Sequence, residues 1–210
     1  MQNVIKEVLV GIDNVKSEIV SDIGALSSPK IRTILHRVAA RVPTDESYVE
    51  IGTHIGGTLI SALVDHKDVS AYCCDNWSFQ TCNEGPVRDV FKRNLDRYKH
   101  RLPDVQVLDM DAFKMLQNPP FKKPVGAYFY DADHSEESQY KAITMIYPYL
   151  ASDAVVIIDD WGMPEVQSGT WRGIKEVRPK ELFFWGYHPK KPHDASDFWN
   201  GIGLFWLKKA

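Results

Sequence analysis

Cysteine is scarce, with only Cys73, Cys74 and Cys82 among 210 residues. Three cysteines cannot build a disulfide framework, so a reducing, cytoplasmic setting is expected. Cys73 and Cys74 are adjacent and would point to opposite faces of a strand, which argues against a zinc site. Charge of one sign is missing too: 25 Lys and Arg against 28 Asp and Glu give a net charge of −3. The strongly basic face of a general nucleic-acid binder is therefore absent, and no nucleic-acid partner is expected. No run approaches the roughly 18 uncharged apolar residues of a membrane span, and the first residues lack a signal-peptide pattern. A soluble intracellular protein without a membrane partner is expected. Repeats and low-complexity linkers are lacking as well. What is present is a 44% hydrophobic chain, long enough to bury one core without staples.

Along that chain, Ile5, Val8, Leu9, Ile12, Val15, Ile19, Val20 and Ile23 recur at helical spacing and predict a helix over 2–24. A second helix is expected over 30–41, stopped by Pro43. Residues 1–44 thus read as N-terminal helices covering the core, a substrate mouth or a homo-oligomer surface. From 45 to 210 strands and helices alternate. Strands are expected at 48–52, 69–74, 105–109, 125–130, 154–158, 181–187 and 201–207. Helices are expected at 57–66, 84–100, 112–117, 136–149 and 171–178. Such alternation predicts an α/β fold with a mainly parallel seven-stranded sheet and helices on both faces. The last two strands have no helix between them and should pair as an antiparallel C-terminal hairpin. Residues 162–172 read as a mobile loop over the active site.

The most informative segment is Tyr48-Val-Glu-Ile-Gly-Thr-His-Ile-Gly-Gly-Thr58, followed by Asp75. A strand runs into a glycine-rich turn, and a second strand ends in a carboxylate able to accept bonds from ribose hydroxyls. Dinucleotide sites read G-x-G-x-x-G, the middle glycine making room for pyrophosphate. Here His54 occupies that position, which disfavours an NAD-dependent oxidoreductase. The spacing G-x-x-x-G-G after Glu50 fits a nucleoside without pyrophosphate, such as S-adenosylmethionine.

Two strand ends are acidic: Tyr128-Phe-Tyr-Asp-Ala-Asp-His134 and Val156-Ile-Ile-Asp-Asp-Trp161. If those strands are neighbours, Asp131, Asp159 and Asp160 converge. Two carboxylates about 5 Å apart repel by roughly 3 kcal/mol at an effective dielectric near 20. A cation among them relieves that repulsion, and oxygen-only ligands favour a hard ion such as Mg²⁺. The alternative is that some of these aspartates cap following turns, Asp133 above all. A metal there would serve a hydroxyl, lowering the pKa of the oxygen to be methylated. Asp133 and His134 are both placed to remove its proton.

Taken together, Glu50-Ile-Gly-Thr-His-Ile-Gly-Gly, Asp75, Asp131-Ala-Asp-His and Ile158-Asp-Asp-Trp resemble class I S-adenosylmethionine-dependent methyltransferases. The nearest resemblance is to the macrocin-type small-molecule O-methyltransferases, which act on sugar hydroxyls of natural products. It covers about residues 45–207. It implies a Rossmann-like fold, with Glu50, Gly52, Thr53, Gly56, Thr58, Asp75, Trp77, Asp111, Ala112 and Asp131 around the cofactor. It implies Mg²⁺ on Asp131, Asp159 and Asp160, with Asp133 or His134 as base. The small-molecule acceptor is not named by any pattern. A non-catalytic nucleoside-binding or assembly protein on the same fold is the competing reading, against which the acidic triad and adjacent base argue.

Overall fold

The computed structural model describes residues 3–17 and 19–209. Helix α1 spans Asn3–Leu9 and α2 Pro29–Ala39; β1 is Ser47–Ile51, α3 Gly57–Leu63 and β2 Ser70–Asp75. A two-residue hairpin follows, β3 (Thr81–Cys82) against β4 (Gly85–Pro86), then α4 at Val87–Tyr98. The order continues with β5 (Val105–Asp109), α5 (Ala112–Gln117), β6 (Val125–Tyr130) and α6 (Glu136–Ile146). It ends with β7 (Leu150–Asp159), α7 (Pro164–Val177), β8 (Glu181–Tyr187) and β9 (Ile202–Lys208).

Among the described residues, seven strands form one sheet in the order β5-β2-β1-β6-β7-β9-β8. All neighbours are parallel except β9, which runs antiparallel to both β7 and β8. Strands β1 and β6 are buried at every position, as near-continuous apolar runs covered on both faces should be. One face packs under α2, α3 and α4 through residues such as Ile34, Leu59 and Phe91. The other packs under α5, α6 and α7 through Met115, Ile143 and Ile174. The order reverses between β1 and β6, the place where open α/β sheets bind ligands beyond their carboxyl ends. No helix among the described residues is long and apolar enough to cross a membrane.

Three expectations are corrected. The helix over 2–24 stops at Leu9: Gly11 takes a left-handed φ of 67°, and only a short 3-10 turn, Ile12–Asn14, follows. The stripe is still used, since Ile5, Val8, Ile12, Val20 and Ile23 are buried, but by a segment that wraps rather than coils. The helix over 84–100 begins later, after the β3–β4 hairpin, and closes in a 3-10 turn at Lys99–Arg101. Residues 162–172 are not a loop over the site. Pro164 opens α7, whose Gly169 and Gly173 let it close on α6, where a Cβ would stand 2.1 Å from the Glu136 carbonyl oxygen and 2.7 Å from Ile143.

Candidate functional site

A cavity of about 700 Å³ opens at the carboxyl ends of β1, β2, β6 and β7. Its floor is the turn after β1. Gly52 there has a φ of +88°, and a Cβ on it would stand 1.6 Å from the Asp131 carbonyl oxygen. Only glycine fits, because the turn lies directly against the end of β6. Asp75 joins this turn to the loop after β2: its Oδ2 accepts from the His54 N–H at 2.8 Å and its Oδ1 from the Trp77 N–H at 2.7 Å. A carboxylate offers about four acceptor positions, so Asp75 keeps capacity for ribose hydroxyls. Gly52, Thr53, Thr58, Asp75, Asp111, Ala112 and Asp131 all line the cavity. Asp111 also caps α5 through the Lys114 N–H at 2.9 Å.

Glu50, Gly56 and Trp77 stand behind the wall rather than on it. Gly56 is the left-handed residue before α3. Trp77, expected near the adenine, has a left-handed φ of 56° and packs on Phe91 with ring centroids 5.0 Å apart. Its neighbours Asn76, Ser78 and Phe79 line the cavity instead.

Glu50 is fully buried and joins β1 to α3. Thr58 donates to its Oε1 at 2.8 Å and the Tyr48 hydroxyl to its Oε2 at 2.9 Å. Burial pushes its carboxyl from 4.5 up to about 8 despite those two bonds, so the group is largely protonated at neutrality. The folded chain therefore holds a proton that the unfolded chain releases between about pH 4.5 and 8, and stability falls as pH rises through that window. Glu50→Gln, which keeps the shape without the charge, is expected to flatten that decline, an effect on the order of a few kcal/mol. Urea midpoints at pH 5 and pH 8.5 for both proteins check this; equal declines would contradict it.

At the other side of the floor, the ligand atoms of Asp131, His134 and Asp160 lie within 4.8 Å of one another. His134 Nε2 sits 2.7 Å from Asp160 Oδ2. That bond, with the charges of Asp160 and Asp131, raises the His134 pKa above its usual 6.5. Burial alone would raise Asp160, but His134 holds it below the usual carboxylate range. Asp131 is raised by burial and then by the Asp160 charge, and Asp159 by burial and then by Asp131. Asp159 is only 2% exposed and stands outside the three-residue cluster. Asp160 takes a left-handed φ of 53°, the kind of strain found where a site over-determines its backbone.

Asp133 lines the cavity, yet its Oδ1 accepts from both the amide and the hydroxyl of Ser135, the residue that caps α6. Those bonds hold its carboxyl low. Trp161 is buried core, packed with Phe184 and Phe205. The cavity residues that sequence reasoning missed include Ala25, Leu26, Phe79, His193, Trp199 and Asn200. For Trp199 and Asn200 the visible signal is the Trp199-Asn-Gly turn just before β9.

A protein-family model described as a methyltransferase domain matches residues 49–161. No curated protein matches the chain. Among solved structures, the O-methyltransferase TomG of Streptomyces achromogenes, involved in tomaymycin synthesis and solved with SAM, is 17% identical. Its TM-score is 0.62, over 97% of this chain and 90% of TomG. An O-methyltransferase of Bacillus cereus, solved with SAH, is 15% identical with a TM-score of 0.57, over 98% of this chain and 91% of its own. An rRNA methylase of Streptococcus thermophilus is 15% identical with a TM-score of 0.54, over 84% of this chain and 96% of its own. At these identities the likeness is one of fold.

Proposed function

Because the chain belongs to the methyltransferase-domain family, and is thereby a class I S-adenosylmethionine-dependent methyltransferase, we propose that its acceptor is a hydroxyl of a small molecule, a sugar or glycosylated natural product being the class its sequence motifs favour. One observation carries the reading. The His134–Asp160 pair, at 2.7 Å, shares a single cavity with the glycine turn and Asp75. The O-methyltransferase activity named for two structural neighbours agrees with it.

Residues lining the cavity support a division of labour within this reading. The turn at Gly52 and Thr53 receives the methionine end, Asp75 the ribose, and Asp111 and Ala112 the adenine side. Asp160 orients His134 through Nε2, which leaves Nδ1 to take the proton from the acceptor hydroxyl. Methyl transfer from a sulfonium disperses charge, so holding donor and acceptor in line supplies most of the rate gain. Asp133, committed to Ser135, is the weaker base.

Magnesium suits the same corner. Asp159 Oδ1 and Asp160 Oδ1 are buried without hydrogen-bond partners, and crowding of carboxylates raises Asp131 and Asp159 after burial itself. Asp131 and Asp160 would hold the ion, with His134 beside them, while Asp159, the third ligand the sequence suggests, lies outside their cluster. When bound, Mg²⁺ supplies Lewis acidity that lowers the acceptor hydroxyl's pKa. The test is transfer of labelled methyl from S-adenosylmethionine to methyl glycosides, phenols and aliphatic alcohols, with and without a chelator. Methylation of a hydroxyl, lost on chelation and restored by Mg²⁺, is expected. Methylation of none of these hydroxyls would overturn the acceptor assignment, and activity indifferent to chelator would overturn the metal.

A further inference from the structure

Both ends of the chain reach the cavity. Ala25 and Leu26 enter it from the N-terminal side, and His193, Trp199 and Asn200 from the connection between β8 and β9. We propose that Lys30 and Asp197 form a clasp that locks these two straps, 20–28 and 188–201, into one acceptor-binding wall. The clasp sets affinity for the acceptor and leaves the cofactor side alone. The inference rests on the methyl-transfer reading above.

Each strap is anchored to the body by unusual means. The first is held by Arg32, an arginine with no exposed surface, which donates to the Val20 carbonyl at 2.8 Å and the Ile23 carbonyl at 2.9 Å. It also lies hard against the start of α3, where a Cβ on Gly57 would come within 2.6 Å of Ala25 Cβ. The second strap is closed by a bridge between Asp194 and Trp199 and by Phe198, which is buried against Trp185 and Tyr187. His193 and Trp199 both take left-handed φ, 58° and 52°, with their rings edge to face at 5.3 Å. Two bulky residues keep such a backbone only where their surroundings enforce it.

Lys30, in the first turn of α2 just beyond the first strap, ties the second strap to the place where the first one ends. Its Nζ lies 3.3 Å from Asp197 Oδ1 and 5.0 Å from the centre of the Phe198 ring, while the Tyr187 hydroxyl donates to Asp197 Oδ2 at 2.9 Å. The two side chains are only 12% and 20% exposed, so solvent screens the pair weakly, unlike the surface ion pairs of this chain. Leu26, at 59% exposed, and Phe79, at 71%, leave apolar surface on the cavity that Trp199 also lines. An acceptor with an apolar face next to its hydroxyl would cover that surface. The cofactor side is fixed separately, by Asp75 and its two backbone donors. Lys30 and Asp197 are therefore positioning residues.

Two measurements on the full chain decide the proposal. Hydrogen exchange reports on the clasp without any ligand. Asp197→Asn, which spares the Tyr187 bond, and Lys30→Met should each speed exchange in 20–28 and 188–201 together, while Lys30→Arg should stay near the parent. Kinetics then separate the roles. For the best-methylated hydroxyl of the panel, KM should rise roughly tenfold in the first two variants, with kcat and the S-adenosylmethionine Kd within about twofold. Faster exchange in one strap alone, an unchanged KM, or a parallel loss of cofactor affinity would overturn the clasp. If the parent methylates no hydroxyl, the methyl-transfer reading fails, and the exchange result still decides whether the straps are coupled.

Discussion

His134→Ala lowers kcat by roughly 10²- to 10⁴-fold, the range by which a positioned base contributes, while S-adenosylmethionine still binds. The expectation rests on placement: His134 is the one imidazole of the Asp131–His134–Asp160 cluster, and Asp160 fixes its ring at 2.7 Å. The pH profile carries a sign. A base acts when deprotonated, so the rate should climb as pH rises through the His134 pKa, which the Asp160 bond sets above 6.5. Asp160→Asn should shift that limb to lower pH, because the partner charge that holds the proton is gone. Asp133→Ala should instead cost stability, about 1 kcal/mol for a lost cap-type interaction, and spare most of the turnover. Single-turnover rates across pH for the three variants check this. A fully active His134→Ala, or an inactive Asp133→Ala with normal stability, would exchange the two roles.

Gly52→Ala is expected to abolish cofactor binding and to destabilise the fold by several kcal/mol. Its Cβ would stand 1.6 Å from the Asp131 carbonyl oxygen, well inside any tolerable contact, and its φ of +88° is strained for any L side chain. A left-handed conformation alone costs about 1–2 kcal/mol. The backbone clash adds to it, and relief requires the turn to part from the end of β6. That movement separates the cofactor floor from the acid–base pair, so binding and chemistry fail together. Thermal unfolding with and without S-adenosylmethionine measures both effects. A variant that unfolds like the parent and still gains stability from cofactor would show that the turn adapts.

The sheet was legible because its signals are local and repeated. Strands such as Ser47–Ile51 and Val125–Tyr130 punctuate helical stretches, and β8 with β9 lack a helix between them. The glycine turn, Asp75 and the acidic strand ends were legible because each follows a strand directly. The N-terminal segment was misread for a physical reason: its apolar spacing serves burial in an irregular wrap, and Gly11 breaks the helix that the spacing suggests. The first turns of α7, expected only from 171, were hidden by Pro164 and Gly169, which look like loop residues until one sees that proline opens the helix and glycine admits α6. Of the acceptor wall, only a role for residues 1–44 at a substrate mouth was legible, as one of three alternatives. The wall itself depends on Lys30 meeting Asp197 across 167 residues, a tertiary contact with no local pattern.

Calorimetric titration of S-adenosylmethionine into the parent, Gly52→Ala and His134→Ala tests most directly whether the β1 turn holds the donor independently of His134 after β6. Micromolar binding to the parent and to His134→Ala, with none to Gly52→Ala, is the predicted result. Absence of binding to the parent, or undiminished binding to a folded Gly52→Ala, would contradict it.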